Sequence, residues 1–268
     1  MKYVVIKCGG SVFERLPQSF YQTIVDLKNT GNYHPIIVHG GGPLISQLLD
    51  QAGVKSQFVN GLRVTTDEVL DVVEMALSGS MNKKIVRFLA KAGGKAVGIS
   101  GVDGNLLTAV PADPSGKLGF VGKVANVQTS MLNLIANDDA IPVISPLAMD
   151  ETGQRYNINA DMAASAVAEA LGAKLCFISD IPGIYEEIDG EKKVFHQLNE
   201  YDINQLIKEE VIFGGMIPKV ESALSALNKN VPEVSIVNGM DPSAFLSFMQ
   251  GKEVGTRILL EKEMPYAK

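Results

Sequence analysis

Tyr3-Val4-Val5-Ile6-Lys7-Cys8-Gly9-Gly10-Ser11-Val12 is the stretch on which the fold turns. Four β-branched or aromatic residues lead to a lysine, and a glycine pair follows. That pattern predicts a buried strand whose C-terminal end carries one positive charge into a tight turn. Adjacent glycines leave backbone amides bare, and a cluster of such amides is a nest for an anion. Taken alone, the same residues also fit a solvated Lys7 and a plain turn.

Later stretches repeat the theme. Pro35-Ile36-Ile37-Val38-His39 reads as a second strand running into Gly40-Gly41-Gly42-Pro43 and a helix through Leu44, Ile45, Leu48 and Leu49. Bare amides at a helix N-terminus favour an anion, and three glycines exceed what a turn needs. Gln57 to Thr66 is extended and glycine-punctuated, with Thr66 or Asp67 able to cap a helix from Glu68 to Leu77. Within it, Arg63 sits between Leu62 and Val64. A guanidinium there suits a bidentate carboxylate partner, or a structural ion pair. The Lys83, Lys84, Arg87 and Lys91 face of a helix from Met81 to Ala92 reads as solvated.

Further strands are expected at Lys95–Ser100, Ile141–Ser145, Lys174–Ser179, Glu233–Val237 and Gly255–Leu260, and a hairpin around Asp113-Pro114-Ser115-Gly116. Helices are expected at Pro17–Lys28, Ser130–Ala136, Met162–Leu171, Ile203–Glu210 and Pro242–Met249. Strand and helix alternate, which predicts an α/β fold with a mostly parallel sheet and helices on both faces. Asn157 and Asn159 share one face of an extended segment, and Asp161 begins the helix after it, either as an N-cap or with a further role. Ser179-Asp180 followed by Pro182-Gly183 forms a loop at the carboxyl end of a strand, where ligands bind in open α/β sheets. Lys219 falls in the first turn of a helix opened by Gly214-Gly215. A cation there opposes the helix dipole unless an anion joins it.

Composition narrows the function. The chain has 268 residues, 46% of them hydrophobic and 20% charged, with a formal charge of −6. A large core is affordable, and nucleic acid is not an expected partner. No apolar run reaches membrane-spanning length, and the polar character after Lys7 does not fit a signal peptide. Cys8 and Cys176, both in apolar strands, read as reduced thiols of a cytoplasmic protein. There is no G-x-x-x-x-G-K-[ST], no strict G-x-G-x-x-G after the first strand, no H-E-x-x-H and no C-x-x-C. His34, His39 and His196 are scattered, without a nucleophile beside them. Two lysines, three glycine clusters and an arginine remain. Phosphoryl transfer needs little more, since positioning and charge stabilisation carry it.

Lys7-Cys8-Gly9-Gly10-Ser11, His39-Gly40-Gly41-Gly42, Asn60-Gly61-Leu62-Arg63-Val64-Thr65, Asn157-Ile158-Asn159-Ala160-Asp161, Ser179-Asp180-Ile181-Pro182-Gly183 and Gly215-Met216-Ile217-Pro218-Lys219 together resemble the amino acid kinase family, in order and over essentially the whole chain. The Asn-Gly-Leu-Arg-Val-Thr and Asn-x-Asn-Ala-Asp motifs resemble most the branch that phosphorylates the γ-carboxylate of N-acetyl-L-glutamate for arginine biosynthesis. The resemblance implies a three-layer αβα sandwich around a mostly parallel open sheet. It implies an N-terminal lobe over residues 1–170 for substrate and dimerisation and a C-terminal lobe over 171–268 for ATP, sharing one continuous sheet.

Site roles follow from the same likeness. Lys7 and Lys219 would neutralise the phosphoryl group in flight, and Asp161 would hold both lysines. Amides of Gly9, Gly10 and Gly41 would line its path. Gly41, Gly42, Arg63 and Asn157 would bind the acylated amino acid. Ser179, Asp180, Gly183, Ile184, Val211, Ile212 and Phe213 would hold ATP. Magnesium would ride on the nucleotide phosphates, with no all-protein metal site. Arginine-inhibited hexamers of the family resemble one another in a helix before the first strand. Here that strand starts at residue 3, so a homodimer without arginine feedback is expected, with helix 66–79 at its interface. A sibling kinase for carrier-linked aminoadipate, glutamate or aspartate fits the same motifs. So does a non-catalytic amino-acid sensor, although intact Lys7, Asp161 and Lys219 count against it.

Overall fold

A computed structural model describes residues 2–188, 190–229 and 231–260. The end of the expected C-terminal lobe, 261–268, lies outside the described residues. Eight strands form the central sheet: β1 Tyr3–Cys8, β2 His34–His39, β3 Ala96–Ser100, β4 Ile141–Ser145, β5 Lys174–Ser179, β6 Gln197–Leu198, β7 Val234–Asn238 and β8 Thr256–Ile258. Their order is β6-β8-β7-β5-β1-β2-β4-β3, and only the β7–β8 pairing is antiparallel.

Side-chain alternation builds the layers. Val5, Ile36, Val38, Phe177 and Ile236 point into one buried cluster with the helices Ala160–Leu171 and Ile217–Leu227. Val4, Ile6, Ile37, Ile178 and Val237 point into the other, with the helices Gln18–Asn29, Asn82–Lys91 and Pro242–Met249. Both faces of each central strand are apolar, as a doubly covered parallel sheet requires. The three layers expected from the sequence are present, and one sheet runs through both halves of the chain.

β1 occupies the place that matters for function. β2 flanks it on one side and β5 on the other. The winding reverses direction there, which opens a crevice beyond the carboxyl end of β1. Lys7 and the glycine pair stand at that end.

Several expectations change in detail. The sequence predicts two helices between Glu68 and Ala92, broken near Gly79. Instead, an α-helix Asp67–Glu74 runs through a π-helical turn Met75–Met81 into the helix Asn82–Lys91. A helical glycine costs about 1 kcal/mol. Burial of Ala76, Leu77, Met81 and Asn82 and the 2.8 Å contact between the Ser78 and Ser145 hydroxyls outweigh it. Residues 57–66 form a small hairpin, Phe58–Val59 with Leu62–Arg63. The hairpin read around Asp113 is present as Leu107–Pro111 with Val121–Val127. Leu147–Met149 and Arg155–Ile158, not read as strands, close it into a four-stranded barrel. Polar, exposed residues also hid the hairpin Tyr185–Ile188 with Glu191–Val194. No helix among the described residues is long and apolar enough to cross a membrane.

Candidate active site

Lys7 is the penultimate residue of β1, its side chain almost buried, and its Nζ lies 2.7 Å from Asp161 Oδ1. Burying an ammonium is costly unless a carboxylate joins it. Asp161 is in the first turn of the helix Ala160–Leu171 but does not cap it. Asn159 is the cap, its Oδ1 accepting from the amides of Asp161 at 2.9 Å and Met162 at 3.2 Å. The Asp161 carboxylate is thereby left to Lys7.

Lys219 is the third residue of the helix Ile217–Leu227. Burial pushes its pKa below the usual lysine value, and the charge of Lys7 pushes it further the same way. Asp161 and Asp180 act in the opposite sense. The two ammonium groups, far apart in sequence, therefore share one field. Among the described residues no carboxylate comes within 4.0 Å of Lys219, so Asp161 touches Lys7 and reaches Lys219 only through space. Asp180 is paired with Arg15, which holds its carboxyl below the usual range. Arg15 had no signal in the sequence, since a Glu-Arg pair after a turn reads as solvated surface.

The two glycine turns pack against each other. A Cβ on Gly10 would lie 2.8 Å from Gly41 Cα and 3.0 Å from Gly42 N. A Cβ on Gly9 would instead face Lys7 Nζ at 3.7 Å. On its far side, a Cβ on Gly41 would meet Leu77 Cδ2 at 2.6 Å.

A cavity of about 240 Å³ opens on this cluster, lined among others by Lys7, Gly10, Gly41, Gly42, Arg63, Asn157 and Asp161. Arg63 is only 7% exposed, and burial lowers its pKa. Its guanidinium donates to Ser56 Oγ, to Ser46 Oγ at 2.8 Å and to the Gly42 carbonyl at 3.2 Å, and lies 4.6 Å from the centre of the Phe58 ring. No carboxylate among the described residues is within 4.0 Å of it. A buried guanidinium held by neutral acceptors beside a cavity can receive an anion, although the Asp50 charge already acts on it in the same sense. Asn157 donates to Thr65 Oγ1 at 3.2 Å, and Thr65 donates to the Arg63 carbonyl at 2.8 Å, so the two cavity residues are braced together. Nothing in the local spacing of Ser46 and Ser56 marks them, whereas Thr65 closes the Asn-Gly-Leu-Arg-Val-Thr motif.

A second cavity, of about 390 Å³, lies between the loop after β5 and the segment 210–216. Gly183, Ile184, Val211, Ile212 and Phe213 line it together with Ile181 and Met216. Its apolar side chains could take a flat heterocycle, although Glu186, Glu187 and Glu210 also line it. Ser179 and Asp180 are not among its lining residues; they stand at the end of β5, nearer the lysines. Gly183 has φ +148, and a Cβ there would sit 2.7 Å from Thr256 Oγ1, so the loop needs glycine at this point. No group of three or more His, Cys, Asp or Glu among the described residues is placed to hold a metal.

Known proteins share the sequence and the fold of this chain. The chain is 48% identical to the acetylglutamate kinase of Oceanobacillus iheyensis over 99% of its own length and all of the relative's. It is also 48% identical to the acetylglutamate kinase of Bacillus subtilis, over 98% of each chain. Among solved structures, smu.665 from Streptococcus mutans superposes with a TM-score of 0.82 at 30% identity, over 97% of this chain and 99% of that one. Giardia carbamate kinase superposes with a TM-score of 0.69 at 15% identity, over 96% and 98%, a likeness of fold. The model of the amino acid kinase family matches residues 2–238, a span that takes in the first strand, both glycine turns, Asp161 and Lys219. By that match and those relatives, this chain belongs to the amino acid kinase family.

Proposed function

We propose that the protein transfers the γ-phosphoryl group of ATP to the γ-carboxylate of N-acetyl-L-glutamate, giving N-acetyl-L-glutamyl 5-phosphate and ADP in arginine biosynthesis. The observation that carries this is the cavity lined by both the Lys7–Asp161 pair and a buried Arg63 that makes no ion pair among the described residues. The names of the relatives point to the same acceptor.

In this reading the acylated amino acid lies in the smaller cavity. Arg63 binds its α-carboxylate, and Asn157, Gly41 and Gly42 hold the amide end. The purine of ATP lies in the larger cavity against Gly183, Ile184, Val211, Ile212 and Phe213, with Ser179 and Asp180 beside the phosphates. A γ-carboxylate oxygen attacks the γ-phosphorus in line, and the bond to the β–γ bridging oxygen breaks with its electron pair leaving on ADP. Lys7 and Lys219 neutralise the charge in flight, and Asp161 keeps Lys7 aimed at it. Amides of Gly9, Gly10 and Gly41 donate to the travelling oxygens. Each well-placed donor of this kind is worth about 3–4 kcal/mol of barrier. Magnesium would be carried by the nucleotide phosphates, in keeping with its preference for phosphate and water.

We also place the enzyme in the cytoplasm, as a homodimer joined through residues 66–79, where Met75 remains 61% exposed. Sedimentation showing a hexamer that loosens with arginine would overturn the dimer. Hydroxylamine trapping of the acyl phosphate, with ATP and a panel of carboxylates, tests the reaction. N-acetyl-L-glutamate should be turned over fastest. Faster turnover of free glutamate, aspartate or an aminoadipyl carrier would assign the chain to a sibling activity, and no turnover of any would favour a sensor.

A further inference from the structure

Beneath the second glycine turn lies a polar network that the proposed reaction does not use. His39, the last residue of β2, is fully buried. One ring nitrogen, Nδ1, is 3.1 Å from the Gly40 carbonyl oxygen, and the other, Nε2, is 3.3 Å from Asn82 Nδ2. The partners fix the protons. Asn82 Oδ1 accepts from Lys83 Nζ at 3.0 Å, and Asn82 Nδ2 donates to the carbonyls of Val143 at 2.9 Å and Ile99 at 3.2 Å. Those two carbonyls take both hydrogens of the Asn82 amide, so Nδ2 can offer His39 Nε2 at most a shared N–H and cannot accept from it; Nε2 therefore carries no hydrogen. Nδ1 then carries the hydrogen and donates it to Gly40. This neutral tautomer is the one that sets no donor against a donor.

The Gly40 carbonyl and the Gly41 amide belong to a single planar trans peptide, in which C=O and N–H point in opposite directions. Holding the carbonyl down toward His39 therefore turns the Gly41 N–H up, away from the core and toward the Gly9–Gly10 turn. The Gly40 amide is held separately, donating to the Cys8 carbonyl at 3.0 Å. Leu77 supports Gly41 from the side, where a Cβ would meet it at 2.6 Å. Leu77 and Asn82 are five residues apart. In a regular α-helix they would face directions about 140° apart. The π-helical turn Met75–Met81, with its wider i to i+5 repeat, lets both meet the same glycine turn.

We propose that His39 and Asn82 are positioning residues for phosphoryl transfer: they lock the Gly40–Gly41 peptide so that the Gly41 amide faces the migrating group. This rests on the kinase reading above.

Two substitutions separate positioning from mere packing. His39→Asn keeps an amide nitrogen near the Nδ1 place and can still donate to Gly40. His39→Gln puts its amide near the Nε2 place, keeping the link to Asn82 and losing the donor. Steady-state kinetics with ATP and N-acetyl-L-glutamate should show kcat down about 10–100-fold in His39→Gln, with either KM changed less than about 3-fold. His39→Asn should keep most of kcat. In ¹⁵N-glycine-labelled wild type, the Gly41 amide signal should shift when ADP, magnesium, aluminium fluoride and N-acetyl-L-glutamate are added together, and this shift should shrink in His39→Gln. Equal kcat in the two variants, or a higher kcat in His39→Gln, overturns the proposal. If neither variant folds, Asn82→Ser decides, with a wild-type kcat overturning it and a loss confined to kcat supporting it. Wild type without kinase activity would sink the kinase reading itself, a separate result from an active wild type with indifferent variants.

Discussion

Gly10 and Gly41 meet backbone to backbone: a methyl group on Gly10 would lie 2.8 Å from the Cα of Gly41. The two turns leave neighbouring parallel strands in register, Cys8 beside His39, so they reach the crevice at the same height. Gly10→Ala has only backbone to push against. It should cost about 1–3 kcal/mol of stability, as overpacking does, and abolish most activity. Gly9→Ala faces Lys7 Nζ at an ordinary 3.7 Å. It should melt like wild type and still lose activity, because its methyl enters the phosphoryl path. Thermal melts beside hydroxylamine assays check both; an active Gly9→Ala would remove that residue from the site.

Asp161→Asn keeps the shape of the Lys7 partner and removes its charge. Loss of about 10²–10³ in kcat is expected. The pH profile should move as well. Asp161 raises the pKa of Lys219, while burial and Lys7 lower it. Without the carboxylate that pKa falls further, so the alkaline limb of kcat should shift to lower pH. A limb that stays in place would separate Lys219 from Asp161.

Arg63→Lys retains charge but loses the planar fork that reaches Ser46, Ser56 and the Gly42 carbonyl together. KM for N-acetyl-L-glutamate should rise about 10–100-fold, with KM for ATP little changed. An unchanged KM for the amino acid would refute the carboxylate clamp.

Phe213 is 71% exposed at the edge of the larger cavity. Phe213→Ala should leave the melting temperature within error and raise KM for ATP about 3–10-fold, without touching KM for the acceptor. An effect on the acceptor alone would place the nucleotide elsewhere.

His39 carries a pH signature of its own. Burial pulls its pKa from 6.5 to about 4. Between those values the unfolded chain binds the extra proton, so the free energy of unfolding rises with pH. The stabilisation is complete above about pH 6.5 and is lost as pH falls toward 4, by up to roughly 1.4 kcal/mol per unit. Denaturant titrations of wild type and His39→Asn should show this slope in wild type only. Parallel pH curves would mean that His39 already titrates normally.

The strands and most helices were legible because their periodicity is local. The buried runs at 3–8, 34–39, 141–145 and 174–179 are strands in the structure. What failed was also physical. The break expected at Gly79 is absent because packing on both sides outweighs the propensity of one glycine. Asp161 fits a cap by residue type, yet Asn159, two residues earlier, takes that role. The hairpin at 185–194 carries mostly polar, exposed side chains and so shows no alternation.

Residue type and order alone established an alternating α/β chain, glycine-bare amides at two strand ends and two lysines in places that call for an anion. These follow from backbone sterics, periodicity and the helix dipole, all of which act over a few neighbours. The fold alone decided which of these groups meet: Asp161 on Lys7, Arg63 gripped by Ser46 and Ser56, the Gly10 turn seated on Gly41, and Asn82 turned toward His39 by a π-helical step. Apart from that of Arg63 with Ser56, 7 residues away, those contacts join residues 17 or more apart, Lys7 and Asp161 being the farthest separated. They are set by strand order and helix register, which no local pattern encodes.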